Sequence, residues 1–550
     1  MTGYFLRRSK RPTENYLGIL KYSPIQGVDT FTFIDYFTSE LNRDLTGQKI
    51  MLTRLKVSGF KNLVDVDVRF GPFTCIAGPN GVGKSNLFDA IRFLSALADR
   101  PLIEAAMSVR DETGKTADIK SLFYRHGDQT EPQMSFHAEM IIPTAGIDDL
   151  GQPAKASSTF LEYSVVLSYK KEDKTFGSVG ALQLLREELL PITLEDTPKK
   201  LLFPHSYSKW RKHTVVSHRY GIPFISTNDT SGDIELHQDG RGGKKSRRKA
   251  TDLPRTVLSA TNAAESPTAL LTRREMQSWQ LLQLEPSALR KPDEFRAPTK
   301  LGSNGSYIAA TIYRLASKEA NQESTVYSQI ANRLSELVDD VSSLYIDPDE
   351  KRQLLTLYVT GKDKTPHAAR ALSDGTLRFL ALAVLAQDPQ AKGVLCLEEP
   401  ENGIHPARIP AIIKLLRDFA TDPNEPIGAD NPLRQVIVNT HSPSVVQQVS
   451  EDTLLIAEIK EFIRDGNRMK GACFSCLPDT WRIKKSPNPE KEHICSMGTL
   501  LDYLNPVRSV ESYDEILNVS KVVRRKISRR VVDRPDVQPL LPYPPTASIK

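Results

Sequence analysis

The feature that most narrows what this chain can fold into is Gly78-Pro79-Asn80-Gly81-Val82-Gly83-Lys84-Ser85. It lies between the apolar run Phe73 to Ala77 and a segment carrying Leu87, Ile91, Leu94 and Leu97. The run reads as a buried strand, and the apolar spacing after it as one face of a helix. A strand, a glycine-rich turn and a helix in that order curl backbone N–H groups around phosphate oxygens and aim a helix N-terminus at them. Gly78, Asn80, Gly81 and Gly83 then shape the cradle. Lys84 reaches the terminal phosphates, Ser85 ligates magnesium, and Asn86 follows in the first helical turn.

A second stretch gains meaning from the first. Val394-Leu395-Cys396-Leu397 runs straight into Glu398, Glu399 and Glu401. A short, fully apolar run bounded by Pro and Gly reads as a strand buried on both faces. An unpaired carboxylate at its end is costly unless a metal, a cation or a reaction uses it. Taken alone, the segment also fits a strand ending at a solvated rim. Beside a phosphate cradle, Glu398 is the magnesium-holding acid and Glu399 the group that orients or deprotonates an attacking water. His441, after the strand Val436 to Val438, stands where a polar side chain can sense the γ-phosphate; an ordinary loop histidine is the alternative.

The rest of the chain fills in an α/β architecture. Val64, Val66, Val68 and Phe70 alternate with Asp65, Asp67 and Arg69, predicting a half-exposed strand. Short alternating runs, including Phe160 to Tyr169 and Ile234 to His237, predict antiparallel strands. Val326, Ile330, Leu334 and Leu337 mark a helix, while Pro267, Pro286, Pro292 and Pro298 exclude a long coiled coil. Five regions are expected: an N-terminal extension at 1–50, a first lobe at 51–145, a β-rich then helical insertion at 146–345, a second lobe at 346–460 and a C-terminal docking segment at 461–550. The extension is expected to be dispensable for the chemistry, as a misassigned upstream start, or else to be a partner-binding arm.

Composition sets broad limits. The apolar stretch near Leu377 to Ala386 is too short to span a bilayer, and no signal-peptide pattern opens the chain, so a cytoplasmic location is expected. Five scattered cysteines do not make a disulfide framework. The net charge of +6 permits an anionic partner. Arg241, Lys244, Lys245, Arg247, Arg248 and Lys249 form one basic cluster, and Lys521 to Arg530 form another. Both are candidates for contacts with nucleic-acid phosphates, with a solvated loop and a solvated helix face as the alternatives.

The motifs GPNGVGKSN, LSDGT, LCLEEPENGIHP and NTHSP, in that order, resemble the Walker A, signature, Walker B with D-loop, and switch-histidine elements of ABC-type AAA ATPases of the SMC, RecF and OLD-like group. WQLLQLEPSALRKP, from Trp279 to Pro292, resembles the middle of OLD-like ATPases of anti-phage systems. The likeness runs from Met51 to about Ser450. It implies an ABC/SMC-type P-loop ATPase head with an antiparallel β subdomain, using ATP and Mg2+. It also implies a head-to-head homodimer, with higher oligomers as a further form, in which Ser373 and Gly375 of one subunit close over the partner's nucleotide, and in which Lys61 and Asn62 approach the nucleotide. Two departures stand out: Glu398 replaces the usual aspartate, and Asp374 stands where many relatives have glycine. Gln129 and Gln133 are candidates for the Q-loop.

Past His441 there is no D-x-D pair of the kind an OLD-type Toprim nuclease needs, and the histidines form no HNH core. The combination is similar to the PtuA-like ATPases of Septu systems and some retron operons. That likeness implies a partner HNH nuclease of the PtuB kind and, in retrons, a reverse transcriptase with its RNA/DNA product. An SMC- or RecF-like DNA-repair ATPase and an autonomous OLD-like nuclease are the alternatives. Cys473, Cys476, His493 and Cys495 have a spacing that fits four zinc ligands, or else are small buried side chains that never meet.

Overall fold

The structure is a computed structural model. It describes residues 51–504 apart from 110–118, 171–180, 218–220, 240–244, 318–322, 392, 429 and 465–466. The extension at 1–50, Arg241, Lys244 and the Lys521 to Arg530 cluster lie outside the described residues.

Strands β1 (Met51–Phe60) and β2 (Leu63–Arg69) form an antiparallel hairpin. Val64, Val66 and Val68 are buried while Asp65 and Asp67 are exposed, as the alternation predicts. Arg69 departs from the pattern and is 5% exposed. Its carbonyl accepts a hydrogen bond from Arg482 Nε at 3.0 Å and its guanidinium lies 3.7 Å from Glu492. Alternation places a polar residue toward water, but a segment far along the chain covers this end of the strand.

Strand β3 (Phe73–Ala77) leads through the glycine-rich loop into helix α1 (Lys84–Leu97). Next come β4 (Gln133–Ile141), β5 (Phe160–Lys170), β6 (Ala181–Pro191), β7 (Ile225–Thr227), β8 (Asp233–Leu236) and β9 (Ser246–Lys249). They extend the hairpin into an eight-stranded sheet ordered β9-β8-β7-β6-β5-β4-β1-β2. Phe93 of α1 stacks on Phe60 with ring centroids 5.8 Å apart and meets Phe136 at 5.5 Å. These rings fix α1 against the antiparallel sheet.

The second sheet is assembled from distant segments. Strand β10 (Gln280–Leu282) precedes an antiparallel pair, β11 (Val341–Asp349) and β12 (Leu354–Gly361), and then helix α2 (Asp374–Gln387). After these come β13 (Gly393–Glu398), α3 (Ile409–Phe419), β14 (Arg434–Thr440) and the hairpin β15 (Leu454–Arg464) and β16 (Asn467–Cys476). The order is β10-β13-β14-β3-β15-β16, with parallel pairing except between β15 and β16. Gln435 ties the two sheets together. Its side chain accepts from Leu52 N at 2.9 Å and donates to Leu52 O at 2.8 Å and Gly71 O at 2.9 Å.

Register sets the site. Leu282 pairs with Leu397, Glu398 with Asn439, and Thr440 with Ala77. The C-terminal ends of β10, β13, β14 and β3 therefore share one edge, where parallel sheets open their ligand crevices. A second compact unit begins at Ser496, of which the helix Met497–Leu504 is described. Among the described residues no helix is long and apolar enough to cross a membrane.

Candidate active site

The glycine-rich loop needs its glycines for space and for conformation. Gly81 and Gly83 have φ of +80° and +109°, where side chains are strained. A Cβ on Gly83 would lie 2.6 Å from the Asn62 amide and 2.8 Å from Ala472 Cβ. Lys84 is buried, and its Nζ donates to Gly78 O at 2.7 Å and Pro79 O at 2.8 Å. Burial pushes its pKa down, against the opposing pull of Glu399, Glu401 and Glu398. The ammonium thus rests on carbonyls of its own loop, where a triphosphate would compete for it.

Lys61 and Asn62 brace this loop from the β1–β2 turn. Asn62 Nδ2 donates to Val82 O at 3.2 Å, and Asn62 Oδ1 accepts from Asn86 Nδ2 at 2.7 Å. Lys61 Nζ contacts Asp89 Oδ2 at 2.5 Å.

A cleft of about 410 Å³ opens beside the loop, and Asn80, Gly81, Gly83, Lys84, Ser85 and Asn86 line it together with Glu398 and Glu399. Glu398, half-buried at the end of β13, lies 3.4 Å from Asn439 Nδ2. Glu399 has a φ of +46°, and its N–H points at Asn439 O, 3.1 Å away. Its carboxylate is held on both sides, by His441 Nδ1 at 2.7 Å from Oε1 and by Asn402 Nδ2 at 2.6 Å from Oε2. Burial pushes this carboxyl up, but the bonds from Asn402 and His441 and the charges of His441 and Lys84 outweigh it and hold the group below its ordinary value. Glu401 differs. It is buried against the Thr440 hydroxyl, and burial pushes its pKa up.

The remaining expected site residues lie around this cleft. Gly78 supplies a carbonyl to Lys84, and His441 reaches the cleft through Glu399. Ser373 is the exposed N-cap of α2, its Oγ accepting from Thr376 N at 3.2 Å. Gly375 packs so closely on Gly403 that a Cβ would lie 2.5 Å from Gly403 O. The charge of Asp374 is met by Arg290, whose Nη2 also donates to Leu372 O at 3.1 Å.

Gln129 and Gln133 lie in a two-stranded ribbon and at the start of β4, and neither lines the cleft. Gln283 does, one residue beyond β10, level with Glu398 on the neighbouring strand. Asn402, Asn439 and Arg378 are further cleft residues that sequence reasoning missed. A three-residue strand leaves no period to read, and the apolar Leu281-Leu282 pair was the available signal for Gln283.

Cys473, Cys476, His493 and Cys495 are not brought together as metal ligands. The grouping found among the described residues, with ligand atoms within 4.8 Å, is His137, Glu139 and Glu162. Its carboxylates are already met by cations, Arg54 at 3.1 Å from Glu139 and Lys200 against Glu162, which leaves a charge network in place of a metal site. Cys476 Sγ instead faces His493 O at 3.5 Å, and burial pushes all three thiols up. The described part of the first basic cluster is partly neutralised, with Lys245 and Arg247 each 2.9 Å from Glu235.

The donors at the cleft suit a magnesium nucleotide: a hydroxyl (Ser85), an amide (Gln283) and a carboxylate (Glu398) share it with a lysine and a glycine-rich loop. The chain is similar to the OLD nuclease of Thermus scotoductus, 51% identical over 41 residues, 8% of each chain. It is similar to the DNA replication and repair protein RecF of Magnetococcus marinus, 47% identical over 47 residues, 8% of this chain and 12% of that one. The matched stretches thus span only a small part of these curated relatives. The chromosome partition protein Smc of Bordetella petrii is 28% identical over 145 residues, 26% of this chain and 11% of that protein. The family described as "AAA domain, putative AbiEii toxin, Type IV TA system" matches residues 73–447, from the strand before the glycine-rich loop to beyond His441. That span is more than half of the chain, which accordingly belongs to this family of AAA domains and is a P-loop ATPase of the SMC, RecF and OLD kind.

Proposed function

We propose that the chain is an ATP-operated switch whose heads pair on ATP, separate after hydrolysis, and thereby control a partner HNH nuclease in anti-phage defence. The observation that carries the hydrolytic part is the Glu399 carboxylate, held by His441 and Asn402 at the cleft that Lys84 and Ser85 line. Ser85 and Glu398 would hold Mg2+, with Gln283 at the same edge. The metal, when bound, supplies charge to the phosphates. Lys84 exchanges its two loop carbonyls for phosphate oxygens. Each Glu399 oxygen already accepts one hydrogen bond and keeps capacity for another. Glu399 therefore takes the proton of the attacking water without losing its orientation.

Pairing would bring the exposed Ser373 and the adjoining turn of one head over the nucleotide of the other. Asp374 does not oppose this as a bare charge, because Arg290 accompanies it.

The partner rests on the likeness to PtuA-like ATPases. A nuclease can be controlled only if it binds the paired and separated heads unequally. ATP is expected to keep it quiet, and loss of ATP to release it. The test is to assay the purified chain for ATP hydrolysis and for cleavage of DNA and RNA, then add the neighbouring gene product at high and low ATP. Hydrolysis without cleavage, followed by ATP-sensitive cleavage by the pair, supports the reading. Cleavage by the chain alone would point to an OLD-like nuclease. DNA-stimulated hydrolysis without any nuclease would point to a RecF-like repair ATPase.

A further inference from the structure

Helix α2 starts at the exposed Ser373, yet one turn further on Arg378 lines the cleft of its own subunit beside Lys84, Ser85 and Glu399. Its Nη1 donates to Asn402 O at 2.5 Å, while its Nε is buried with no hydrogen-bond partner. Arg290, Arg314 and Arg408 are each paired with an aspartate, whereas Arg378 has no ion pair among the described residues. A guanidinium is planar and always charged, and it seeks the fork geometry of a carboxylate or a phosphate. Here it stands at the cleft of the glycine-rich loop with no carboxylate paired to it among the described residues.

We infer that Arg378 is a ligand of the γ-phosphate bound in its own subunit, and that it distinguishes ATP from ADP; this rests on the ATPase reading above. The γ-phosphate is singled out by position. Arg378 holds Asn402, and Asn402 Nδ2 holds Glu399 Oε2 at 2.6 Å, so Arg378 belongs to the group of side chains around the proposed water-activating carboxylate. One helix then addresses two nucleotides, the partner's through Ser373 at its N-cap and its own through Arg378. Occupancy of one cleft by ATP would thus bias how the same head presents its Ser373 turn.

The experiment compares full-length wild type, Arg378→Gln, Arg378→Lys and Lys84→Ala by dissociation constants for ATP and ADP and by the melting temperature without nucleotide. Arg378→Gln should weaken ATP roughly tenfold or more while ADP changes little, the size expected for loss of a charge-assisted contact. Arg378→Lys keeps the charge but loses the fork, and should lose part of the ATP preference. If Arg378→Gln does not fold, the ATP-to-ADP ratio of Arg378→Lys decides the question. An unchanged ratio, or equal loss of both nucleotides alongside a lower melting temperature, means that Arg378 only braces the Asn402 turn and overturns the inference. A wild type that binds no ATP would instead remove the ATPase reading beneath it.

Discussion

His441 Nδ1 lies 2.7 Å from Glu399 Oε1, joining the end of β14 to the residue after β13. Against a carboxylate acceptor this nitrogen carries the proton. The contact both orients Glu399 and helps to hold its pKa below the ordinary 4.5 despite burial. His441→Ala should therefore lower ATP turnover by roughly ten- to a hundredfold with ATP affinity nearly unchanged, as expected when a general base loses its orienting partner. Because the Glu399 pKa then rises, the acid limb of the pH–rate profile should move upward. A profile that keeps its position would show that His441 does not act on Glu399.

The phosphate loop makes a separate prediction. Lys84→Ala should lose ATP binding itself, since it removes the only side-chain ammonium among the described residues that line the cleft. Gly83→Ala should do the same for a different reason. Its Cβ would sit 2.6 Å from the Asn62 side chain at a φ of +109°. Calorimetric titration with ATP measures both, and a Gly83→Ala protein with wild-type affinity would show that the loop tolerates the crowding.

What was legible in the sequence follows from what is local. The strand Phe73 to Ala77 has the predicted span, and the helix Lys84–Leu97 buries the predicted Leu87, Ile91, Leu94 and Leu97, because period and glycine pattern act over a few residues. The neighbourhood of Glu398 and Glu399 with Lys84 was also legible, since parallel strands of one sheet end at one edge. Arg290 against Asp374 was not, because the two lie 84 positions apart and no period links them. Arg69 shows the opposite failure: its alternation is right for a strand facing water, but Arg482 and Glu492 cover that face. Of the two readings of the cysteine spacing, small buried side chains fit the described residues, because β16 carries Cys473 and Cys476 into the core of the sheet.

Glu275 provides a pH test remote from the cleft. It is fully buried; Oε1 accepts from Trp279 Nε1 at 2.7 Å, and Oε2 has no partner. Burial outweighs the bond from Trp279 and the influence of the nearby Ser278 hydroxyl and raises its carboxyl from the ordinary 4.5 to about 8. The folded state therefore binds the proton more tightly than the unfolded state. Stability linked to this group is full below 4.5 and is lost as pH rises toward 8. Glu275→Gln should remove that slope, gaining on the order of 4 kcal/mol over wild type near the top of the window and little near its bottom. Urea unfolding at the two ends of the window measures the difference, and equal gains at both ends would mean that the effect is not titration.

In the proposed reaction Glu399 activates water for ATP hydrolysis in the cleft of the glycine-rich loop. The most direct measurement is ATP turnover by Glu399→Gln, with ATP affinity and molecular mass by light scattering recorded on the same sample. The substitution keeps the side chain's size and its contact with Asn402 but removes the basic oxygen. Affinity should stay unchanged, turnover should fall by roughly a hundredfold or more, and the paired form should accumulate when ATP is present. Wild-type turnover by Glu399→Gln would remove Glu399 from the base role.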